Sequence, residues 1–252
     1  MDKQKRGDGV LMGTIISMAG PQSTEIMAAA GFDWVLIDME HSSLSLSEVH
    51  NLLNGGGDKL ISIVRVPGND ETWIKRVLDL GCDGILVPMV NSGEEAAHAV
   101  NAALYPPAGK RSVGVGRAHG YGPGFSKYVA GANHKLTIMI QVEHIEAVRN
   151  IDAIVSTEGI SAIFIGPYDL SASMGLAGEV NHPEVTKAIG VVKSKCREAG
   201  IPYGIFSMTP EGLAGHIADG CTYALCGIDA FMLASEAGRI ASKLTGLSQN
   251  RS

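Results

Sequence analysis

A chain of 252 residues, 45% hydrophobic and 18% charged, with a formal net charge of −6, has room for one large domain or two small ones. Its acidic balance, without a clustered basic face, argues against a nucleic-acid partner. No apolar run reaches the roughly 18 residues needed to span a bilayer, so no membrane association is expected.

The amino-terminal stretch MDKQKRGDGV has positive charge but no apolar segment behind it, so a cytoplasmic, soluble protein is expected. Cys82, Cys196, Cys221 and Cys226 lack zinc-knuckle spacing and are too sparse for a disulfide scaffold. Reduced, mostly buried thiols follow.

In chain order, short runs rich in Val, Ile and Leu alternate with segments of helical period. The expected strands are LMGTIIS (11–17), WVLIDME (34–40), LISIVRV (60–66), GILVPMV (84–90), LTIMIQVE (136–143), AIFIGP (162–167), YGIFS (203–207) and YALCGI (223–228). Helical segments such as PQSTEIMAAAG, SLSEVHNLLNGGG, DETWIKRVLDLG and TPEGLAGHIADG follow them, and Gly31, Gly81, Gly200 and Gly220 stand where left-handed caps belong. Strands that are apolar throughout have both faces buried, as parallel strands covered by helices do. Eight such units predict an α/β protein with a (β/α)8 TIM-barrel fold, a single domain over 1–252 with its core at about 10–245. A doubly wound sheet is the runner-up, but no G-x-G-x-x-G follows the first strand. The segment from Tyr105 to Lys135, with YPPAGKRSVGVGRAHGYGPG, is expected to be a long loop, a functional lid or disordered. The chain is expected to fray from Gly246.

In a barrel of this kind, chemistry gathers at the carboxyl ends of the strands. There the sequence presents Asp38, Glu40 and His41 after the second strand, Arg65 on the third and Gln141 and Glu143 on the fifth. Gly166, Pro167, Tyr168 and Asp169 follow the sixth strand and Ser207 ends the seventh. Each has a plain structural alternative. Asp169 before LSASMG could be a helix N-cap, Arg65 could be half of a buried ion pair, and His41 alone would be a structural histidine. His50, His98, His182 and His216 are expected at the surface. Glu143 is harder to explain away, because an unpaired carboxylate after LTIMIQV is costly to bury without a compensating cation.

Glu143 and Asp169 end consecutive strands and can share a hard divalent cation, Mg²⁺, Mn²⁺ or Co²⁺, leaving positions for water and substrate oxygens. The GPYD turn adds backbone N–H groups that suit a carboxylate. A 2-oxo acid would satisfy this set. A Schiff-base mechanism needs an interior lysine, and the strands contain none; Lys59 and Lys135 precede strands three and five.

The motifs WVLIDMEHSS, IVRVPGND, ILVPMVNSGEEA, YPPAGKRSVG, IMIQVEHIEAVRN and IFIGPYDLSASMG, in that order, resemble the HpcH/HpaI family of class II, metal-dependent 2-oxo acid aldolases over about residues 10–235. The resemblance implies reversible cleavage of a 4-hydroxy-2-oxo acid to pyruvate and an aldehyde by a homo-oligomer, trimer or hexamer, with shared sites. It implies Glu143 and Asp169 as metal ligands and Gln141 and Tyr168 as substrate-binding positions. His41 matches the catalytic base and Arg65 the residue that stabilises the enolate-like transition state. Asp79 matches an acid that raises the basicity of that histidine, although it precedes strand four, at the wrong end of its own barrel. Asp38 is expected to orient the imidazole or to assist the metal's water shell. The sequence departs from the family at Tyr168, where a small residue is usual, and in VGRAHGYGPGFSKY, a loop expected to shape the aldehyde pocket. Competing readings are a 2-oxo acid decarboxylase or thioester lyase on the same barrel, and a non-catalytic 2-oxo acid binder.

Overall fold

In the computed structural model, which describes residues 9–249, strand and helix alternate from Leu11 onward. The first half runs β1 (Leu11–Ile16), α1 (Gln22–Ala30), β2 (Trp34–Asp38), α2 (Leu46–Gly56), β3 (Ile61–Arg65), α3 (Glu71–Asp79), β4 (Gly84–Val87) and α4 (Gly93–Ala103). The second half runs α5 (Phe125–Lys135), β5 (Thr137–Val142), α6 (Ile145–Arg149), α7 (Ile151–Val155), β6 (Ala162–Ile165), α8 (Pro167–Ser173), α9 (Pro183–Ala199), β7 (Tyr203–Ser207), α10 (Pro210–Ala218), β8 (Tyr223–Ile228) and α11 (Asp229–Gln249). Consecutive strands pair in parallel and β8 returns to β1, closing the barrel. This is the expected single-domain (β/α)8 fold. The expectation for residues 1–8 and 250–252 lies outside the described residues.

The uniformly apolar strands serve two cores at once. Val35, Ile37, Val64, Ile85, Ile140 and Ile163 face outward into the layer between barrel and helices. Their neighbours Trp34, Leu36, Ile63, Leu86, Met139 and Phe164 point inward and fill the barrel. Period-2 alternation is present in space but hidden in sequence, because both faces are apolar. Trp34 plugs the amino-terminal end of the barrel. Its indole N–H donates to the Leu11 carbonyl at 3.1 Å, and the rings of Tyr223 and Phe164 stand edge-on to it at 5.7 and 6.3 Å. Gly13 makes room for it: a Cβ there would lie 2.3 Å from the indole. The cavity inside the barrel lies beyond the plug, toward the carboxyl ends of the strands.

Helix boundaries follow side-chain caps. Ser45 closes a capping box with Glu48, and Asp70, Ser92 and Thr209 accept first-turn N–H groups. The anticipated glycine stops are present, with φ of 94° at Gly31, 80° at Gly81, 68° at Gly200 and 90° at Gly220.

Two expectations need correction. The segment 105–135 is not a structureless loop: it contains a 3₁₀ turn at Arg117–His119 and all of α5. Side chains scattered among its glycines order it. Arg111, buried, lies 4.5 Å over the Tyr105 ring, and the fully buried His119 meets the Tyr105 hydroxyl at 3.2 Å. The segment links α4 to β5, so it lies at the amino-terminal end of the barrel, where Arg117 donates to the Leu80 carbonyl at 2.6 Å. It forms no lid over the site of its own chain. The second correction concerns the carboxyl end, where α11 continues through Gly246 to Gln249 instead of fraying. Among the described residues no helix is long and apolar enough to cross a membrane.

Candidate active site

The site begins where β2 stops. Asp38 and Arg65 are register partners on β2 and β3, so the parallel pairing sets carboxylate beside guanidinium. Arg65 donates from Nε and Nη2 to the two Asp38 oxygens at 2.9 and 2.7 Å, a bidentate pair. Asp38 Oδ1 also accepts the backbone N–H groups of Glu40 at 3.0 Å and His41 at 3.2 Å. These bonds end the strand and turn the chain, which places the His41 side chain, 61% exposed, at the rim. Glu40 Oε2 stands 3.3 Å from Arg65 Nε and 3.7 Å from His41 Nε2.

Electrostatics divides the acids. Burial would raise the Asp38 carboxyl, but the Arg65 guanidinium and the two backbone donors outweigh it and hold Asp38 below the usual carboxylate range. For Glu40 burial prevails over the attraction of Arg65, and its carboxyl is raised. Arg65 is itself held above its ordinary value: burial disfavours its charge, and Asp38 and Glu40 more than compensate.

Facing this cluster, β5 ends in Gln141 and Glu143, both buried. Glu143 Oε1 accepts the Met89 N–H at 2.7 Å, a donor available because Met89 holds a left-handed backbone with φ 54°. Such a conformation is rare for a residue with a side chain and recurs at functional sites. Gln141 Nε2 donates to Glu143 Oε2, leaving Gln141 Oε1 buried without a partner. Burial pushes the Glu143 carboxyl up to about 7, and the charges of Glu40 and Asp169 add to the effect. After β6, Gly166 caps α8 and Pro167 opens it, so Asp169 lies in the first turn of the helix and is not its N-cap. Gly166 is required here for space: a Cβ would lie 2.9 Å from Glu143 Cβ and 3.0 Å from its Oε2.

These residues fit a hard cation. Glu143, whose charge burial disfavours, Asp169, close enough to raise the Glu143 carboxyl further, and the unpartnered Gln141 oxygen could supply oxygen donors only. Among the described residues no three His, Cys, Asp or Glu side chains converge as a complete metal cage. Two carboxylates with open positions is the pattern that Mg²⁺-type ions accept, since they keep water or substrate oxygens in their shell.

The strand ends enclose a cavity of about 400 Å³ lined by Asp38, His41, Arg65, Gln141, Gly166, Pro167, Tyr168 and Asp169. Glu143 reaches it through Gln141 and Gly166, which it touches. The chain thus brings together the residues expected at the site except Ser207 and Asp79. Asp79 ends α3 at the opposite end of the barrel, where its Oδ1 accepts Arg111 Nη2 at 2.7 Å. Within one chain it does not meet His41.

Asp38 also differs from expectation. Its oxygens hold Arg65 and the His41 backbone, and the acid beside the imidazole is Glu40. Ser207 lines a neighbouring cavity instead of this one.

Two contributors escaped sequence reasoning. Met89 acts through a backbone angle that no motif displays. Asp229, buried directly after β8, accepts Ser17 N–H at 2.9 Å, Ser17 Oγ at 2.8 Å and Met18 N–H at 3.2 Å, tying β8 to the end of β1. The strand-end rule that singled out Asp38 and Glu143 would have found it.

A closed barrel with an acid-and-arginine cluster at the carboxyl ends of its strands defines a (β/α)8 enzyme. Residues 12–235 match the model of the HpcH/HpaI aldolase/citrate lyase family, and the chain belongs to that family; two of its curated relatives are named aldolases, carbon–carbon lyases. It is similar to the 5-keto-4-deoxy-D-glucarate aldolase of Shigella dysenteriae, 37% identical over 92% of this chain and 91% of the relative. It is also similar to the 4-hydroxy-2-oxovalerate aldolase of Novosphingobium aromaticivorans, 39% identical over 91% of this chain and 88% of the relative. Among solved structures, an HpcH/HpaI aldolase/citrate lyase family protein from Burkholderia cenocepacia superposes with a TM-score of 0.90, at 30% identity over 96% of this chain and 98% of that one.

Proposed function

We propose that the chain is a class II, divalent-metal-dependent aldolase that reversibly cleaves a 4-hydroxy-2-oxo acid to pyruvate and an aldehyde. The observation that carries this reading is the buried Glu143, hydrogen-bonded to the neutral donors Met89 N–H and Gln141 Nε2 and still raised by burial, next to an unpartnered Gln141 oxygen and within electrostatic reach of the Arg65 guanidinium. The names of both curated relatives, aldolases of oxo acids, support the reaction class.

Glu143 and Asp169 would hold the divalent ion, which when bound would supply Lewis-acid polarisation of the 2-oxo group. Gln141 and the backbone N–H of Tyr168, presented by the Gly166–Pro167 turn, orient the carboxylate end of the substrate; Gly166 N–H is engaged by the Val142 carbonyl and Pro167 has none. His41 takes the proton of the C4 hydroxyl, a task suited to imidazole near neutral pH. The C3–C4 bond breaks, its electron pair forms the C2–C3 double bond, and the aldehyde leaves. Negative charge collects on the former 2-oxo oxygen, where Arg65 stabilises it without reorganising, because Asp38 and Glu40 already fix its direction. Return of a proton to C3 completes pyruvate.

The working form in this reading is a homo-oligomer, trimer or hexamer, acting in the cytoplasm. Exposed apolar residues along α11, including Leu233, Leu244 and Leu247 at 60–63% exposure, support an oligomer, as does the separation of Asp79 from the His41 of its own chain. The four free cysteines suit a reducing compartment.

Exchange of the methyl protons of pyruvate in D₂O tests the enolate step. It should require added Mg²⁺, Mn²⁺ or Co²⁺ and stop on chelation, and retro-aldol cleavage should release a trappable aldehyde; full-rate cleavage by metal-free protein would refute the mechanism. Gly166→Ala supplies an independent check. The added Cβ must displace Glu143, so Mg²⁺ affinity measured by calorimetry should fall by about 10-fold or more, and an unchanged affinity would exclude Glu143 as a ligand.

A further inference from the structure

Glu143 is met by a backbone that is strained in order to meet it. The β4–β5 ladder runs as far as the pair Val87 and Ile140. Two residues beyond the end of β4, the Met89 N–H reaches across to Glu143 Oε1 at 2.7 Å, from a left-handed backbone with φ 54°. A residue with a Cβ disfavours that region. The Met89 side chain, 49% exposed, does little to hold the turn, so the restraint must come from elsewhere.

It comes from Asn91. The side-chain Nδ2 donates to the Met89 carbonyl at 3.2 Å, while the buried Oδ1 has no partner. The donor is therefore the working end of this amide. Helix α4 does not require the side chain, because Ser92 is its N-cap.

The backbone of Asn91 is fixed from both sides. Its N–H donates to Glu95 Oε2, and its carbonyl accepts Asn150 Nδ2 at 2.8 Å. Glu95 is held in turn: its N–H donates to the Ser92 hydroxyl at 3.1 Å, and its carbonyl accepts Asn69 Nδ2 at 2.9 Å. This clamp joins the segments that follow β3, β4 and β5, all within one chain. Asn150 directly follows α6, the helix that starts two residues after Glu143. Asn91 thus braces both partners of the Met89–Glu143 bond.

Resting on the metal-dependent reading above, we propose that Asn91 is a positioning residue. By holding the Met89 carbonyl it keeps the strained turn in the one conformation that aims the Met89 N–H at Glu143, and so presets that carboxylate for a divalent ion. Glycine at position 89 would take the same backbone angle unaided. The need for Asn91 should then disappear.

Hydrogen exchange in the metal-free, full-length protein, read by mass spectrometry with fragmentation, reports on the turn directly. Asn91→Ala keeps the backbone bonds to Glu95 and Asn150 and deletes only the donor. The Met89 amide should exchange about 5-fold faster or more, while the amides of Ile138, Met139 and Ile140 on β5 keep the parent rate. Asn91→Asp, the same shape without the donor, should have the same effect.

Calorimetry with Mg²⁺ carries the test to the site. Asn91→Ala should raise the Kd by about 10-fold in the parent background, but by about 2-fold or less in Met89→Gly, where no strain remains to be restrained. Equal weakening in both backgrounds would overturn the proposal, as would a Met89 amide that keeps the parent rate in both Asn91 variants. If the parent binds Mg²⁺ and exchanges the methyl protons of pyruvate in D₂O, and Asn91→Ala binds Mg²⁺ equally well, this inference falls while the aldolase reading stands. A parent that neither binds Mg²⁺ nor exchanges those protons removes both.

Discussion

Replacing Arg65 with methionine should damage catalysis and stability at once. With its guanidinium gone, the charge that develops on the 2-oxo oxygen loses a fixed donor, and kcat for retro-aldol cleavage should fall by about 100- to 1,000-fold. Stability should fall by about 3–5 kcal/mol, because Asp38, buried and bonded to Arg65 by two hydrogen bonds, would be left as an uncompensated charge. Urea denaturation reads the second effect independently of any substrate. The double variant Arg65→Met/Asp38→Leu separates the two roles. It removes both charges, so much of the stability should return, since apolar replacement of a whole buried ion pair is often neutral, while activity stays lost. An Arg65→Met protein as stable as the parent would show that the pair contributes nothing to the fold.

The same pair illustrates what the sequence carries and what it conceals. An acid and a base at the ends of two apolar strands are visible in WVLIDME and LISIVRV, and the strand-end rule brings them to one face. The register that makes Asp38 and Arg65 partners is a three-dimensional fact. Once paired, Asp38 faces Arg65 and the backbone, and the acid nearest the His41 ring is Glu40, 3.7 Å from Nε2. The structural alternative considered for Arg65, a buried ion pair, is met, and the functional role proposed above draws on the same pair, because it aims the guanidinium.

Strand positions were legible because apolar runs between Gly, Pro and Asp leave few other readings. Strand ends were less so: β2 stops at Asp38 because that side chain takes the N–H groups of Glu40 and His41, and β4 stops before Met89 takes its left-handed turn. The segment 105–135 misled for a different reason. Its glycines and prolines suggest disorder, yet Tyr105, Arg111 and His119, far apart in sequence, make a buried cation–aromatic cluster that only the folded chain reveals.

Glu143 should make the metal-free protein lose stability as pH rises. Its folded carboxyl titrates at about 7, well above the ordinary glutamate value near 4.3, so between those limits the native state holds a proton that the unfolded chain releases. Stability contributed by the neutral carboxyl is fully present below about pH 4.3 and is gone once pH has passed through about 7, a loss of about 3 kcal/mol. Asp38 runs the other way: its depressed value contributes stability above the ordinary carboxylate range and loses it in acid. A raw pH profile therefore mixes opposing slopes, and comparison with Glu143→Gln isolates the one of interest.

In chelator-treated protein the two should have similar urea midpoints near pH 4.5, and the variant should gain on the parent by about 3 kcal/mol by pH 8. Saturating Mg²⁺ at pH 8 should then restore the parent, by about 2.7 kcal/mol at 100 times its Kd, and leave the variant unmoved. A difference that stays flat with pH would mean that Glu143 already has a compensating partner, and the main support for a cation at this site would be gone. If the difference opens as expected, Mg²⁺ binding must release a proton and strengthen as pH rises toward 7, so the carboxyl that destabilises the empty barrel above neutrality is the one that draws the metal in.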